Sequence, residues 1–185
     1  MPNVKGAAVT ARLRFVRERF GDAGFEQLVA ALSPAHHEII EARVLPQAWV
    51  PYELFIDLCV QADQQFGKGD LGLCFEMGRY AAEVNLPSIY RLFYRFGRPA
   101  FVLSKAARLW SLHYDSGALL AHDDGNGTFR LTIERFEQPH RAHCLSVLGW
   151  ATKSIELSGG RVQSAEEPQC RTLGAPVCEI AVAWT

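Results

Sequence analysis

Hydrophobic residues recur every three or four positions along the first part of the chain, which is the period of an amphipathic α-helix. The first such stretch runs from Lys5 to Phe20, with Val9 and Val16 on its apolar face. Glycine and proline punctuation then predicts helices that begin near residues 22, 34, 51, 70, 88 and 99, the last ending near residue 114. Charged side chains fill the remaining face of the first helix: Arg12, Arg14, Arg17, Glu18 and Arg19.

The hydrophobic period changes from helical to two at Gly117. Apolar and polar residues alternate on both sides of the turn Gly125-Asn126-Gly127, which predicts a β-hairpin. A further amphipathic helix follows Pro139 and stops at Gly159-Gly160. The last three predicted strands cover 161–166, 169–172 and 177–184.

This order of elements predicts an α+β fold, in which an N-terminal helical bundle packs on a C-terminal antiparallel sheet with one intervening helix. We expect a single domain over residues 1–185, since this length suits one well-buried core. The helical part would cover 5–116 and the sheet part 117–185.

The composition adds constraints on partners and location. Hydrophobic residues make up 49% and charged residues 21% of the chain, as in folded proteins. The net charge of -1 provides no field to attract nucleic acid, so we expect no nucleic-acid partner. Apolar runs fall short of about 18 residues, which predicts no transmembrane segment. An odd number of cysteines, five, without a preceding signal segment, favours the cytoplasm.

Three segments of the sequence form a recognisable set: RLWSLHYDSG, HCLSVLGWATKSIELSGG, and the ending with Cys170, Gly174, Cys178, Glu179 and Trp184. They resemble a myxobacterial paralogous family of uncharacterised proteins. That family is similar to the ligand-binding fold shared by haem nitric-oxide-sensing domains, vinyl-reductase-type domains and core subunits of the TRAPP tethering complex. The resemblance implies a pocket between helices and sheet, a sensing or assembly role, and often a homodimer. It implies no fixed ligand, because the relatives hold haem, an acyl chain or nothing known.

Haem is one alternative that the resemblance leaves open. His113 lies on the last helix before the hairpin, roughly where a proximal iron ligand could be. The haem-binding relatives carry a Tyr-x-Ser-x-Arg motif for the propionates, and the region where it might lie here reads GGRVQSAEE. In register with Val102 and Leu109, His113 equally suits the edge of the core, bonded to a backbone carbonyl.

Cys170 and Cys178 lie symmetrically about Gly174. If the chain reverses there, the two side chains share one side of the sheet, with Cβ atoms about 4.5 to 5.5 Å apart. A stable disulfide is not expected in a reducing compartment. The remaining alternatives are core thiols or a zinc site, whose ligands would come from the group His140, His143, Cys144, Cys170 and Cys178.

A row of arginines suggests a second contact site. Arg91, Arg95 and Arg98 follow one another along one helical face, and guanidinium groups bind phosphate or carboxylate in bidentate fashion. The row could bind an anionic ligand or an acidic protein partner, and the alternative is a solvated helix face.

Apolar side chains from consecutive helices suggest a third site, a pocket for a small hydrophobic ligand. Aromatic walls with soft sulfur atoms suit an acyl-chain tunnel, and they suit a dry core equally well. The candidate pocket residues are Phe55, Cys59, Cys74, Phe75, Phe93 and Phe96.

The sequence contains no nucleophile elbow, phosphate loop or complete calcium loop, and an enzyme is the minority interpretation. The cofactor is unknown at this level. We expect a non-enzymatic sensory or protein-interaction domain, with a zinc-dependent sensor or enzyme, or a haem sensor through His113, as alternatives.

Overall fold

Helices and strands separate along the chain where the period changes, as the predicted α+β class requires. The computed structural model describes residues 1–85, 98–108 and 110–185. Its helical half precedes a four-stranded antiparallel sheet, and one long helix interrupts the sheet strands in sequence. None of the helices in these ranges is long and apolar enough to cross a membrane.

The helices follow the predicted apolar stripes, with adjusted ends. Two helices expected on either side of residue 21 form one kinked helix, because Gly21 has a positive φ of 75° and lets the chain bend there. The helix expected to reach residue 114 ends at Arg108, and a 3₁₀ turn covers Trp110–Leu112. The helices are α1 (Gly6–Ala31), α2 (Pro34–Glu41), α3 (Tyr52–Phe66), α4 (Gly72–Val84), α5 (Pro99–Arg108) and α6 (Arg141–Leu157).

Arg12 departs from its predicted place on the charged face of α1. The residue is only 4% exposed and points toward α6, where its guanidinium donates to the Ser146 hydroxyl. The apolar stripe of α1 is therefore interrupted by one buried cation.

Helix caps explain where α2 and α4 begin. Ser33 caps α2 as predicted, accepting a hydrogen bond from the His36 N–H at 3.4 Å. Asp63, fully buried near the end of α3, accepts the N–H groups of Leu71 and Leu73 at 2.8 Å each. One carboxylate thus ties the end of α3 to the start of α4.

The four-stranded sheet is built from β3 (Ala118–Gly125), β4 (Thr128–Glu134), β5 (Val162–Gln169) and β6 (Cys178–Trp184). The strands lie in the order β3-β4-β6-β5, all antiparallel. The predicted hairpin turn is present, with positive φ at Gly125, Asn126 and Gly127. Two strands expected at 161–166 and 169–172 form one irregular strand, followed by a 3₁₀ turn over Arg171–Leu173.

One face of the sheet is covered by helices. Leu131 pairs with Ile180 and Ile133 with Cys178, and all four side chains are buried, as the alternation predicted. Trp184, expected on the same face, is only partly buried.

A small second sheet was not predicted. β1 (Asn3–Lys5) pairs with β2 (Trp49–Pro51), where sequence analysis began the first helix at Lys5. Strands of three residues are too short to produce a period-two signal.

Replacing Asp63 with Asn should lower the free energy of unfolding by about 2 to 3 kcal/mol. The two N–H groups bind different carboxylate oxygens, and the NH2 group that replaces one oxygen cannot accept a hydrogen bond at this buried site. Asp70→Asn is the matched control, since Asp70 is exposed and accepts only the Gly72 N–H at 2.8 Å. It should cost less than about 1 kcal/mol. Urea unfolding measures both, and equal losses would contradict the role of Asp63.

Candidate functional site

Three of the five cysteines meet under the sheet. Cys144 comes from the first turn of α6, Cys170 follows β5 and Cys178 begins β6. Their sulfur atoms all lie within 4.8 Å of one another, and each residue is 2% exposed. Three separate elements thus deliver one buried group of thiols, which we call the thiol cluster.

Hydrogen bonds within the thiol cluster shift the pKa values of its cysteines in opposite directions. The hydrogen bond from Cys144 lowers the pKa of Cys178. The hydrogen bond from the Arg171 N–H, whose nitrogen lies 3.4 Å from Cys178 Sγ, also lowers it, whereas burial raises it. The bond to Cys178, followed by burial, raises the pKa of Cys144. Cys178 is therefore the thiol that ionises first, with Cys144 as its donor.

Glu167 completes the surroundings of the thiol cluster, and sequence analysis missed it. Its side chain is 5% exposed, and Oε2 accepts from Arg141 Nε at 2.9 Å. Oε1 is buried without a hydrogen-bond partner among the described residues. Its negative charge adds to burial in raising the pKa of Cys170. The spacing Glu167-x-x-Cys170 is the signal that could have identified it.

His140 and His143 border the thiol cluster but have other roles. A narrow crevice that has no room for water is lined by both imidazoles, Cys144 and Cys178. His140 caps α6, its Nδ1 accepting the Ala142 N–H at 3.1 Å. His143 turns the other way, into a group of aromatic rings.

The aromatic group occupies the interior between α3, α6 and the Trp110–Leu112 turn. The His143 ring stacks on Trp110 with centroids 5.6 Å apart and lies 4.7 Å from the Tyr114 ring. Burial, followed by the charge of Arg12, lowers the pKa of His143 to about 3. Its imidazole is therefore neutral, and Nε2 lacks a hydrogen-bond partner within the described part of the chain. The other rings in contact with it are Tyr52, Phe55 and Phe136.

The predicted pocket residues belong to the core where they are described. Phe55, Cys59 and Cys74 are 0% exposed and pack within the main hydrophobic cluster. Phe75 is partly buried, with the Arg79 guanidinium 5.9 Å from its ring. Phe93 and Phe96 lie outside the described residues, so the pocket remains a prediction.

Arg98 and the haem candidate His113 lie at the surface. Arg98 is exposed just before α5, whereas Arg91 and Arg95 lie outside the described residues. His113 is exposed after the 3₁₀ turn, and its backbone carbonyl accepts the Lys5 N–H at 2.9 Å.

A groove of about 380 Å³ runs between α3 and the segment before α6. It combines an apolar floor with two carboxylates, and Asp57 also lies 2.6 Å from His36 Nδ1. The lining residues are Tyr52, Glu53, Ile56, Asp57, Val60, Gln138, Pro139 and His140.

Comparison with solved structures shows the class of fold. An H-NOX protein from S. oneidensis in the Fe(II)NO ligation state has a TM-score of 0.75 at 12% identity, covering 98% of this chain and 99% of that chain. Unliganded Fe(II) H-NOX protein from K. algicida has a TM-score of 0.71 at 12% identity, covering 98% and 96%. An oxygen-binding H-NOX domain related to soluble guanylate cyclases has 0.66 at 14%, covering 98% and 95%.

The chain therefore has the H-NOX fold, and the predicted likeness to haem nitric-oxide-sensing domains is confirmed at the level of fold. No family model and no curated protein sequence matches it. Likeness to the myxobacterial family, to vinyl-reductase-type domains and to TRAPP subunits stays a prediction.

Burial of neutral His143 should make stability depend on pH. The folded-state pKa of about 3 lies below the ordinary 6.5, so the unfolded state binds the extra proton as pH falls. The free energy of unfolding should therefore decrease below about pH 6.5, by up to about 1.4 kcal/mol per pH unit from this residue.

His143→Phe should remove that contribution, which urea unfolding at about pH 7 and pH 5 would measure. The matched control is His122→Phe on β3, where the ring is exposed in the fold. If wild type and His143→Phe lose stability equally on acidification, His143 does not carry the effect.

Proposed function

We propose that this chain is a sensory domain rather than an enzyme, and that its responsive site is the thiol cluster together with Glu167. The observation that carries the proposal is the approach of three sulfur atoms to within 4.8 Å from three separate elements. Thiolates are soft ligands, and the ion that best suits such a buried group is Zn²⁺.

The distances suit a tetrahedral zinc ion. Zinc binds thiolate at about 2.3 Å, which places the sulfur atoms of a tetrahedral site about 3.8 Å apart. Only a small contraction from the present arrangement is required. The three cysteines would supply three ligands, whereas the Glu167 carboxylate lies outside the group of atoms within 4.8 Å of one another and would act as a charged neighbour.

The burial of the thiol cluster favours a sensory or structural role over catalysis, because each cysteine is 2% exposed and the adjoining crevice is too narrow to admit water or substrate. Catalytic zinc sites keep one position open for water or substrate, whereas structural sites fill all four positions. Occupancy would link α6 to β5 and β6, which are otherwise joined by packing and by the ion pair between Arg141 and Glu167. Gain or loss of zinc, or oxidation of the thiolates, would change how firmly the helical half is held on the sheet.

The haem alternative is supported by the fold alone, since solved neighbours include H-NOX proteins in Fe(II) states. The described side chains do not fit haem. His113 has an exposed side chain, and the space beside the buried imidazole of His143 is occupied by aromatic rings. The described side chains therefore favour the zinc site over haem.

The finer expectations on ligand and partners remain predictions. A small hydrophobic ligand would need space beside Phe55, Cys59 and Cys74, which are core residues here. A homodimer rests on the family resemblance alone, and an anionic ligand or acidic protein partner rests on the row Arg91, Arg95 and Arg98 in the sequence.

Zinc should bind with one ion per chain and raise stability by about 2.7 kcal/mol at a free concentration 100 times its Kd. Chelator competition, elemental analysis and thermal unfolding measure this. Cys178→Ser should abolish binding, and Glu167→Gln should weaken it by about tenfold or more. Cys74→Ser, at a buried thiol outside the cluster, is the matched control and should bind normally. Substoichiometric zinc with no thermal shift would contradict the proposal.

Addition of haem should give no stoichiometric complex, and no Soret band that depends on His113. Absorption spectra of the wild-type protein and of His113→Ala after reconstitution measure this. A stoichiometric band that His113→Ala removes would favour the haem alternative over the zinc site.

A further inference from the structure

Arg12 is a buried cation whose hydrogen-bond partners are uncharged. Its guanidinium donates to the Ala8 carbonyl at 3.1 Å and to the Ser146 hydroxyl, and it lies 4.7 Å from the centroid of the Phe55 ring. Nε has no partner within the described residues. A guanidinium does not lose its proton in a protein, so burial without a counter-charge is costly.

Among the described residues, no carboxylate forms an ion pair with Arg12, whose hydrogen bonds go to Ala8 and Ser146. Both oxygens of Asp63 are held by the N–H groups of Leu71 and Leu73. Cys59 is better placed, because it lies one helical turn after Phe55 and therefore shares the face of α3 that Arg12 covers. Cys59 is 0% exposed.

Cys74 on α4 lies against Cys59. Its sulfur atom is 3.7 Å from the carbonyl oxygen of Cys59, and it is also 0% exposed. The two thiols differ in their electrostatic surroundings. The hydrogen bond from Cys74 and the charge of Arg12 lower the pKa of Cys59, against burial, whereas the bond to Cys59, burial and the charge of Asp63 raise that of Cys74.

We infer that Cys59 is a thiolate paired with Arg12, and that Cys59 and Cys74 form a buried dithiol that hydrogen peroxide oxidises to a disulfide. Two arrangements in the structure support this: the guanidinium of Arg12 lies over α3 without a counter-charge, and the Cys74 sulfur contacts the Cys59 carbonyl oxygen. The tyrosines Tyr52 and Tyr114 also face Cys59, and both are uncharged phenols.

The reaction balances without a further reactant. The Cys59 thiolate attacks one peroxide oxygen, an S–O bond forms, the O–O bond breaks, and the departing hydroxide takes a proton to become water. The Cys74 sulfur then attacks the sulfenic sulfur, and the S–O bond breaks as the S–S bond forms. The second hydroxide leaves with the Cys74 proton as water. Two thiols and one peroxide give one disulfide and two waters.

The burial of Cys59 and Cys74 determines which reagents can reach them. Hydrogen peroxide is small and uncharged and can enter through thermal openings of the core, whereas a bulky alkylating reagent cannot. Peroxide treatment of the folded protein should therefore join Cys59 and Cys74 in one cross-linked peptide pair, whose mass is two hydrogen atoms below that of the two reduced peptides. The same thiols should resist a maleimide until the chain is unfolded.

The test is peroxide oxidation followed by blocking in denaturant and peptide mapping. Arg12→Met should slow disulfide formation by about tenfold or more, because it lowers the thiolate fraction. Arg19→Met is the matched control on the same helix, where the side chain is exposed, and should not slow it. Cys74→Ser should stop the disulfide and leave a sulfenic acid at Cys59 that a 1,3-diketone traps.

Two results would overturn the inference: no Cys59–Cys74 disulfide in the folded wild-type protein, or equal rates in wild type and a folded Arg12→Met. If Arg12→Met fails to fold, the far-ultraviolet thiolate absorbance at about pH 7 decides the question. It should fall by one thiolate per chain in Cys59→Ser, and an unchanged absorbance would overturn the pairing with Arg12. Neither readout depends on zinc at the thiol cluster.

Discussion

The arrangement of this fold depends on the close crossing of α4 and α6. At Gly78 an added Cβ would collide with the Ser146 carbonyl, and at Gly149 one would collide with the Phe75 carbonyl. Two glycines thus let each helix approach the backbone of the other. Beyond the crossing, Arg79 forms a two-point ion pair with Glu156 at 2.9 Å for each bond.

Both groups of thiols take their position from that crossing. Cys144 precedes Ser146 by two residues, so the thiol cluster is placed on the sheet side of α6 by the contact that fixes Ser146. Ser146 also accepts from Arg12, which covers the face of α3 carrying Cys59. The two groups of thiols lie in electrostatic environments of opposite sign. The negative charge of Glu167 lies near the thiol cluster, and the positive charge of Arg12 lies near Cys59.

Much of the fold could be read from the sequence because its signals are local. The alternation in β4 and β6, the Ser33 cap and the hairpin glycines depend on neighbours along the chain. The buried place of Arg12 could not be read, because its spacing matches the charged face of α1 and only contact with α6 shows otherwise. Glu167 resembles any surface carboxylate until β5 and α6 bring it beside the cysteines. The contact of Cys170 and Cys178 could be predicted because one reversal of the chain near Gly174 brings them together. Cys144 could not be included, because it joins them only through the packing of α6 on the sheet.

The strand order has a consequence for synthesis on the ribosome. β6 follows β5 in sequence but lies between β4 and β5 in the sheet. Until residues up to Trp184 have left the exit tunnel, β4 and β5 each present an open edge with unpaired backbone groups. The nascent chain can assemble its helices early, but the sheet must wait, and a chaperone that shields strand edges would act during that interval.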